Sequence, residues 1–380
     1  MRIPEEFDSI RPFEPEELPA VYDRLLGDPQ FKAVVAYLYP QLPFEAVAAK
    51  MRACVTNFDF QKTFCYTFLD QLMAKASTGF DINVQSIDVS QRYTFVSNHR
   101  DIVLDSALLC KLLIDVGFST TCEIAIGDNL LVAPWIKDLV RVNKSFIVER
   151  SLGMREMLVA SKRLSEYMHF VIQQKHDNIW IAQREGRAKD SDDRTQPSIL
   201  KMMAMGGEGT IIERLKQLHI VPLAISYEFD PCDFLKAREF QLKRDNPDWR
   251  KSKADDVESM RTGIFGYKGR VHYHCAPCID DWLDTLPADM PKTELFDTIA
   301  AHIDQEIHRH YMLFPSNQMA YSMLYDSVPV GSPDEKAAFE RYLQGQLAKI
   351  QLPNADEPFL RQQLLTMYAN PLSNKMKSEE

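Results

Sequence analysis

The 380-residue sequence lacks several features that would assign it to a class at once. No window approaches the roughly eighteen uninterrupted apolar residues that a membrane-spanning helix needs. The seven cysteines are odd in number and scattered, which does not suit a disulfide framework. The amino-terminal residues lack the apolar stretch of a signal peptide. We therefore expect a cytoplasmic protein.

Two further absences exclude function classes. The net charge of −10 argues against a general affinity for nucleic acid, so an anionic ligand must be met by a local group of cations. The sequence contains no Gly-x-Ser-x-Gly, so acyl transfer through an α/β-hydrolase serine is not expected. The remaining composition, with 45% hydrophobic and 26% charged residues, is that of a globular protein with a sizeable core.

Three regions follow from the hydrophobic pattern. Residues 1–80 predict an amino-terminal helical segment, 81–290 alternate between apolar strand-like runs and helical runs, and 291–380 predict a carboxy-terminal helical segment whose last residues, Ser373–Glu380, form a frayed tail. Such alternation predicts an α/β fold with a mixed sheet flanked by helices.

Two stretches leave alternatives open. Phe58–Ala76 repeats aromatic residues at helical spacing, which favours a helix packed on the next region over a face that binds an acyl chain or a membrane. Residues 231–269 form a charged insertion with two groups of basic residues. Either it is a solvated surface or it covers an anionic substrate.

The most informative stretch is Tyr93–Asp105, in which an apolar strand-like run ends at a polar corner and a helical run follows. His99 occupies the corner, with Asp101 and Asp105 just beyond it. A histidine held by a carboxylate can serve as a general base, although such a pair more often has only a structural role.

Two other strand-like runs end on cations. Ser145–Val148 leads to Arg150, whose planar guanidinium suits a phosphate or a carboxylate. Asn178–Ala182 leads to a corner containing a glycine, which permits close backbone approach, among four charged residues. The residues of this corner are Arg184, Glu185, Gly186, Arg187 and Lys189.

Taken in order, these stretches and the apolar run at Val221-Pro222 resemble the motifs of the glycerolipid acyltransferase superfamily, which includes the glycerol-3-phosphate and 1-acylglycerol-3-phosphate acyltransferases. Gly269–Ile279 is similar to the closing strand and turn of that family, and the resemblance covers roughly residues 85–280. Two departures stand out. Five residues rather than four separate His99 from Asp105, which in a regular helix displaces the carboxylate by roughly 100°. Arg184 stands where the family has proline.

The resemblance implies an acyltransferase of phospholipid biosynthesis. His99 would be the general base, with Asp105, or alternatively Asp101, orienting its ring. Arg150 and Arg187 would hold the acceptor phosphate with help from Arg184 or Lys189, and Glu185 would fix the arginines.

The expected partners are an acyl donor, either acyl-CoA or acyl carrier protein, a glycerol phosphate or lysophospholipid acceptor, and the inner face of the cell membrane, where the protein would be peripheral. No cofactor beyond the thioester co-substrate is expected.

Two alternatives stay open: an acyltransferase for a phosphate-free hydroxylated lipid, and an inactive relative that only binds lipid or phosphate. No metal site is predicted, because the Cys275-x-x-Cys278 pair lacks a second ligand pair at the usual spacing. The length of the acyl chain and the oligomeric state of the protein do not follow from the sequence.

Overall fold

The computed structural model describes residues 3–150, 152–325 and 331–380. Its centre is a seven-stranded sheet in the order β1-β7-β6-β2-β5-β3-β4, in which only the β6–β7 pair is antiparallel. The strands are β1 Gly79–Asn83, β2 Thr94–Ser97, β3 Cys122–Gly127, β4 Ser145–Val148, β5 Asn178–Ala182, β6 Ile220–Tyr227 and β7 Arg270–Cys275. The predicted fold class, an α/β protein with a mixed sheet flanked by helices, is confirmed.

Helices precede, interleave with and follow the sheet. Before β1 lie α1 Leu18–Gly27, α2 Pro29–Leu38, α3 Phe44–Arg52, α4 Asn57–Phe60 and α5 Thr67–Ala76, the last two joined by a π-helical stretch, Gln61–Tyr66. Between strands lie α6 Leu104–Asp115, α7 Pro134–Val142, α8 Met154–Phe170, which continues into a π-helical stretch at Val171–Lys175, α9 Pro197–Met203, α10 Ile211–Lys216, α11 Asp233–Asp245 and α12 Lys253–Phe265. After β7 lie α13 Asp280–Leu283, α14 Lys292–Arg309, α15 Pro315–Tyr325, α16 Pro333–Leu347 and α17 Glu357–Glu379.

The central strands are buried because helices cover both faces of the sheet. Every residue of β2 and β6 is buried, which explains why these strands are nearly continuous apolar runs in the sequence. Separate apolar clusters form on the two faces: α8, α9 and α14 contribute to one, and α5 and α6 contribute to the other.

The parallel arrangement decides where the polar corners lie. Since β2, β5, β3 and β4 run in the same direction, the residues that follow these strands meet at one edge of the sheet. His99 follows β2, Arg184 and Arg187 follow β5, and Arg150 follows β4. The fold thus brings together the corners that lie far apart in the sequence.

The aromatic-rich stretch packs inward. Phe60, Leu69, Leu72 and Met73 are buried against the sheet domain and the first helices, as the packing interpretation predicted. The prediction of a frayed tail at Ser373–Glu380 was wrong. Helix α17 continues through Pro371 to Glu379, and Asn374 in its last part hydrogen-bonds to Asp192 at 3.2 Å. No helix among the described residues is long and apolar enough to span a bilayer.

Candidate active site

A histidine–aspartate pair lies at the carboxyl edge of β2. The Nδ1 atom of His99 is 2.8 Å from Oδ2 of Asp105. The same oxygen accepts hydrogen bonds from the backbone N–H groups of Arg100, at 2.6 Å, and Asp101, at 3.0 Å. Since this oxygen accepts from two backbone N–H groups as well, we assign the proton of the neutral His99 ring to Nδ1, which donates to Asp105, and leave Nε2 as the acceptor nitrogen.

Burial of the pair is uneven. Asp105 is completely buried, whereas the side chain of His99 keeps 13% of its surface exposed. The Tyr273 hydroxyl donates to the backbone carbonyl of Asp105 at 3.0 Å, and the edge of the His99 ring packs on Trp180 with ring centroids 5.5 Å apart. The ring is therefore packed on Trp180, and His99 still lines the cavity described below.

The turn after His99 accommodates the additional residue. Asp101 accepts hydrogen bonds from the backbone N–H groups of Val103 and Leu104, at 2.9 and 2.8 Å, so it caps the start of α6. Residues 99–103 are not helical, and the roughly 100° displacement expected for a regular helix does not arise. The fallback pairing of Asp101 with His99 is not the arrangement in the structure, in which Asp105 contacts the ring. Burial raises the pKa of Asp101, and so does nearby Asp105.

Asn98 fixes the position of the corner. Its side chain exchanges two hydrogen bonds with the backbone of Ile225 in β6, at 2.7 and 2.9 Å, which extends the pairing of β2 and β6 by a side chain. Behind it, the buried guanidinium of Arg100 contacts Asp193 at 2.6 Å. Sequence reasoning did not identify Asp193, because the adjacent Asp190 and Asp192 offer the same chemistry and nothing local separates them.

A cavity of about 970 Å³ opens beside His99. Most of its walls are apolar and come from α6, α7, α8, β3 and β5, with Ala107, Ile124 and Leu164 as examples. Predicted site residues contribute polar groups to the same cavity. These residues are His99, Arg150, Arg184, Glu185, Gly186, Arg187 and Lys189.

The arginines differ in how they are paired. Arg150 contacts the exposed Glu185 carboxylate at 3.2 Å. In contrast, Nε of Arg184 and Nη1 of Arg187 are buried and have no hydrogen-bond partner among the described residues. Buried polar atoms are normally paired, so these two N–H groups are able to donate to an anion that enters the cavity.

Lys189 is already engaged. It forms an ion pair with Glu239 of α11, which also pairs with Lys243 at 3.0 Å. Burial lowers the pKa of Lys189 to about 8, against the opposing effect of Glu239. Lys189 is thus held by a more buried carboxylate than Arg150 is, and a ligand must take it from that partner.

The charged insertion forms part of the cavity wall. Lys251, Asp256, Val257, Met260 and Ile264 line it from α12 and the turn before that helix. The basic group at Lys251 is paired with Asp256 at 2.6 Å. The insertion is therefore neither a purely solvated surface nor a set of free cations, since it supplies apolar side chains as well as charge.

Comparisons with known proteins gave little beyond the fold. No protein-family model and no curated protein sequence matches the chain. Among solved structures, the 1-acyl-sn-glycerophosphate (LPA) acyltransferase PlsC from Thermotoga maritima is similar, with 11% sequence identity and a TM-score of 0.38. The match covers 77% of this chain and 97% of that one. At that level it is a distant resemblance of fold only.

Proposed function

We propose that the protein is an acyltransferase that moves a fatty acyl group from a thioester donor to a hydroxyl of glycerol-3-phosphate or 1-acylglycerol-3-phosphate. One observation carries the proposal. A histidine ring, hydrogen-bonded to a buried carboxylate, lies at an apolar cavity together with two arginines that have unpaired buried nitrogen atoms.

The base step follows from the geometry of the pair. Nε2 of His99 accepts the hydroxyl proton as the oxygen attacks the thioester carbonyl carbon. The buried Asp105 carboxylate favours the imidazolium that forms. Collapse of the tetrahedral intermediate breaks the C–S bond, and the leaving thiolate takes the proton back from the imidazolium. No acyl-enzyme intermediate is needed.

The acceptor phosphate is assigned to the arginines. Among the described residues, Arg184 and Arg187 each have a buried N–H without a well-aligned acceptor, and the guanidinium of Arg150 contacts the exposed Glu185. A phosphate has enough acceptor oxygens for all three, and charge-assisted bonds of this kind are the stronger class. Lys189 would assist only after release from Glu239.

The acyl chain is assigned to the apolar part of the cavity. Its volume of about 970 Å³ is at the upper end of ordinary ligand pockets, and apolar residues make up most of its lining. A long, flexible hydrocarbon with one reactive end matches this distribution. Either acyl-CoA or acyl carrier protein would supply the chain.

The protein would work as a peripheral protein on the inner face of the cell membrane. Met157 and Leu164 of α8 line the cavity, whereas Met154, Leu158 and Val159 of the same helix are exposed to 91%, 64% and 68%. An exposed apolar surface continuous with a lipid-sized cavity suits contact with a bilayer. Neither the packed aromatic-rich stretch nor the paired cations of the insertion supports the contact as well.

The two alternatives are weakened by separate observations. A phosphate-free acceptor would leave the N–H groups of Arg184 and Arg187 unpaired, at a cost that such sites avoid. An inactive relative was considered because the spacing between His99 and Asp105 is unusual, yet the two side chains are in hydrogen-bond contact.

An acceptor panel tests the proposal. Labelled acyl-CoA and acyl carrier protein are each offered with glycerol-3-phosphate, its 1-acyl derivative and a monoacylglycerol that lacks phosphate. We expect turnover on at least one phosphorylated acceptor, absent from His99→Ala and retained in His176→Asn, a change at an exposed histidine far from the cavity. Turnover on the phosphate-free lipid alone would contradict the acceptor assignment, and lipid binding without turnover would favour the inactive relative.

A further inference from the structure

Three side chains able to bind a metal converge at the other edge of the sheet. His219 directly precedes β6, while Cys278 and Asp280 follow β7. One ligand atom from each, an imidazole nitrogen, the Sγ and a carboxylate oxygen, lie within 4.8 Å of one another. Since Thr94 at the start of β2 pairs in register with Ile220, His219 lies at the edge opposite His99.

The cluster has an unsatisfied atom. Nδ1 of His219 is 2.6 Å from Oδ2 of Asp280, whereas the buried Oδ1 of Asp280 has no well-aligned hydrogen-bond partner among the described residues, and the Cys278 thiol lies beside the same carboxylate. A buried carboxylate oxygen without a partner is unusual in a folded protein. It is the atom that a cation between the three side chains would satisfy.

We propose that His219, Cys278 and Asp280 form a zinc site with a fourth position open to water. Zinc accepts this mixture of nitrogen, sulfur and oxygen ligands at about 2.0–2.3 Å, so neighbouring ligand atoms lie roughly 3.3 Å apart around a tetrahedron. Two small changes are required. The His219–Asp280 hydrogen bond opens, with the imidazole proton moving to Nε2, and the Cys278 thiol proton passes to solvent as the thiolate binds.

The site differs from the one that the Cys275-x-x-Cys278 pattern would suggest. Cys275 is fully buried within β7, where its neighbours are apolar. The ligand set instead combines one cysteine of the pair with a histidine 59 positions earlier, a combination that arises only because β6 and β7 are adjacent. A metal there would link the start of β6 to the turn that follows β7, so it would stabilise the sheet without entering the cavity.

Metal binding by the chelator-treated full-length protein tests the proposal. We expect one Zn²⁺ per chain, measured by competition with a chromophoric chelator, and a sulfur-to-metal charge-transfer band when Co²⁺ replaces it. Cys278→Ser and His219→Asn each remove a direct ligand, so they should weaken zinc binding by more than the roughly tenfold to hundredfold that loss of a residue hydrogen-bonded to a metal ligand costs, and they should remove the rise in Tm that zinc produces. Asparagine is chosen because residue 219 has a φ of 47°, which asparagine tolerates.

Cys65→Ser, a change at a half-buried cysteine elsewhere, is the matched control and should bind zinc like the wild type. Equal zinc affinity in the wild type, Cys278→Ser and His219→Asn would overturn the proposal, and so would a cobalt spectrum without the thiolate band. Because the site is at the edge opposite His99, neither result depends on whether the protein transfers acyl groups.

Discussion

Two completely buried aspartates show how differently this protein treats its polar groups. Asp233, the first residue of α11, lies beneath the carboxy-terminal helices and has both carboxylate oxygens paired. Gln346 donates to one oxygen at 2.6 Å, and the hydroxyls of Tyr342 and Tyr368 donate to the other at 2.7 Å. Asp105, in the first turn of α6, has one oxygen paired with His99 and two backbone N–H groups, whereas the other has no well-aligned hydrogen-bond partner among the described residues, although the Tyr227 hydroxyl lies beside the same carboxylate.

The same contrast extends to the neighbours of each carboxylate. Around Asp233 the polar groups form a closed network of aromatic and amide side chains. At the cavity that His99 lines, buried N–H groups of Arg184 and Arg187 have no well-aligned acceptor among the described residues. A polar network that serves only stability is complete within the chain, whereas one that serves a ligand is incomplete without it.

The largest expected effect is that of removing His99, which distinguishes a catalytic role of the His99–Asp105 pair from a purely structural one. His99→Ala should lower the acyl-transfer rate by about 10²–10⁴-fold, because general-base catalysis contributes that much. The Tm should fall only by a few degrees, since the ring borders the open cavity and two backbone N–H groups still pair with Asp105. Initial rates and thermal melts of the same preparation measure both. A large fall in Tm with an unchanged specific rate would mean that the pair is structural, like Asp233.

The closed network should respond to pH instead. Burial raises the pKa of Asp233 to about 6, and neighbouring Asp230 acts in the same direction, although the hydroxyls of Tyr342 and Tyr368 oppose the rise. Between the unfolded value of 3.8 and about 6, the folded state holds a proton that the unfolded state has lost. Stability therefore falls as pH rises through this range, by up to about 3 kcal/mol.

Asp233→Asn removes this titration, so the wild-type free energy of unfolding should fall relative to that of the variant between about pH 4 and pH 6. Urea denaturation across that range measures the difference, in which the contributions of all other groups cancel to first order. A difference that is constant with pH would contradict the assignment. The acyl-transfer rate of the folded variant at neutral pH should match that of the wild type.

Arg187→Ala tests whether the arginines of the cavity bind the acceptor phosphate. Loss of one charge-assisted contact to phosphate is worth about 1.5–3 kcal/mol, so kcat/KM for the phosphorylated acceptor should fall roughly tenfold to a hundredfold. Arg341→Ala, at an exposed position of α16, removes the same charge and should leave kcat/KM unchanged. Equal loss on an acceptor without phosphate would show that Arg187 does not read the phosphate.

The local hydrophobic pattern was enough to predict most helices and strands. It failed where contacts between residues remote in sequence determine the structure. β6 is fully buried and its apolar run identified it, whereas the edge strand β1 has only half-buried residues and was missed. The end of α17 is polar and was expected to fray. It is held by partners remote in sequence, since Lys375 donates to the carbonyl of Tyr311 at 2.9 Å and Asn374 binds Asp192.

The candidate site shows the same limit. The sequence identified His99 and two carboxylates but left open which one meets the ring, because the answer depends on the turn between them. Asp101 is held as a cap, and its other oxygen lies where α12 approaches so closely that a Cβ at Gly263 would come within 2.0 Å of it. That contact joins residues more than 160 positions apart, and no local pattern encodes it.

The smallest expected effect concerns the exposed apolar surface of α8, the helix that also lines the cavity. Leu158 is 64% exposed on α8, and moving part of such a side chain into a bilayer is worth about 1 kcal/mol, or roughly fivefold in partitioning. Leu158→Ser should therefore weaken binding to anionic phospholipid vesicles by about that factor, measured by co-sedimentation. Val55→Ser, at a position 71% exposed in the amino-terminal segment, is the matched control. Equal loss in both variants would mean that α8 has no special relation to the membrane, and that lipid reaches the cavity from another side.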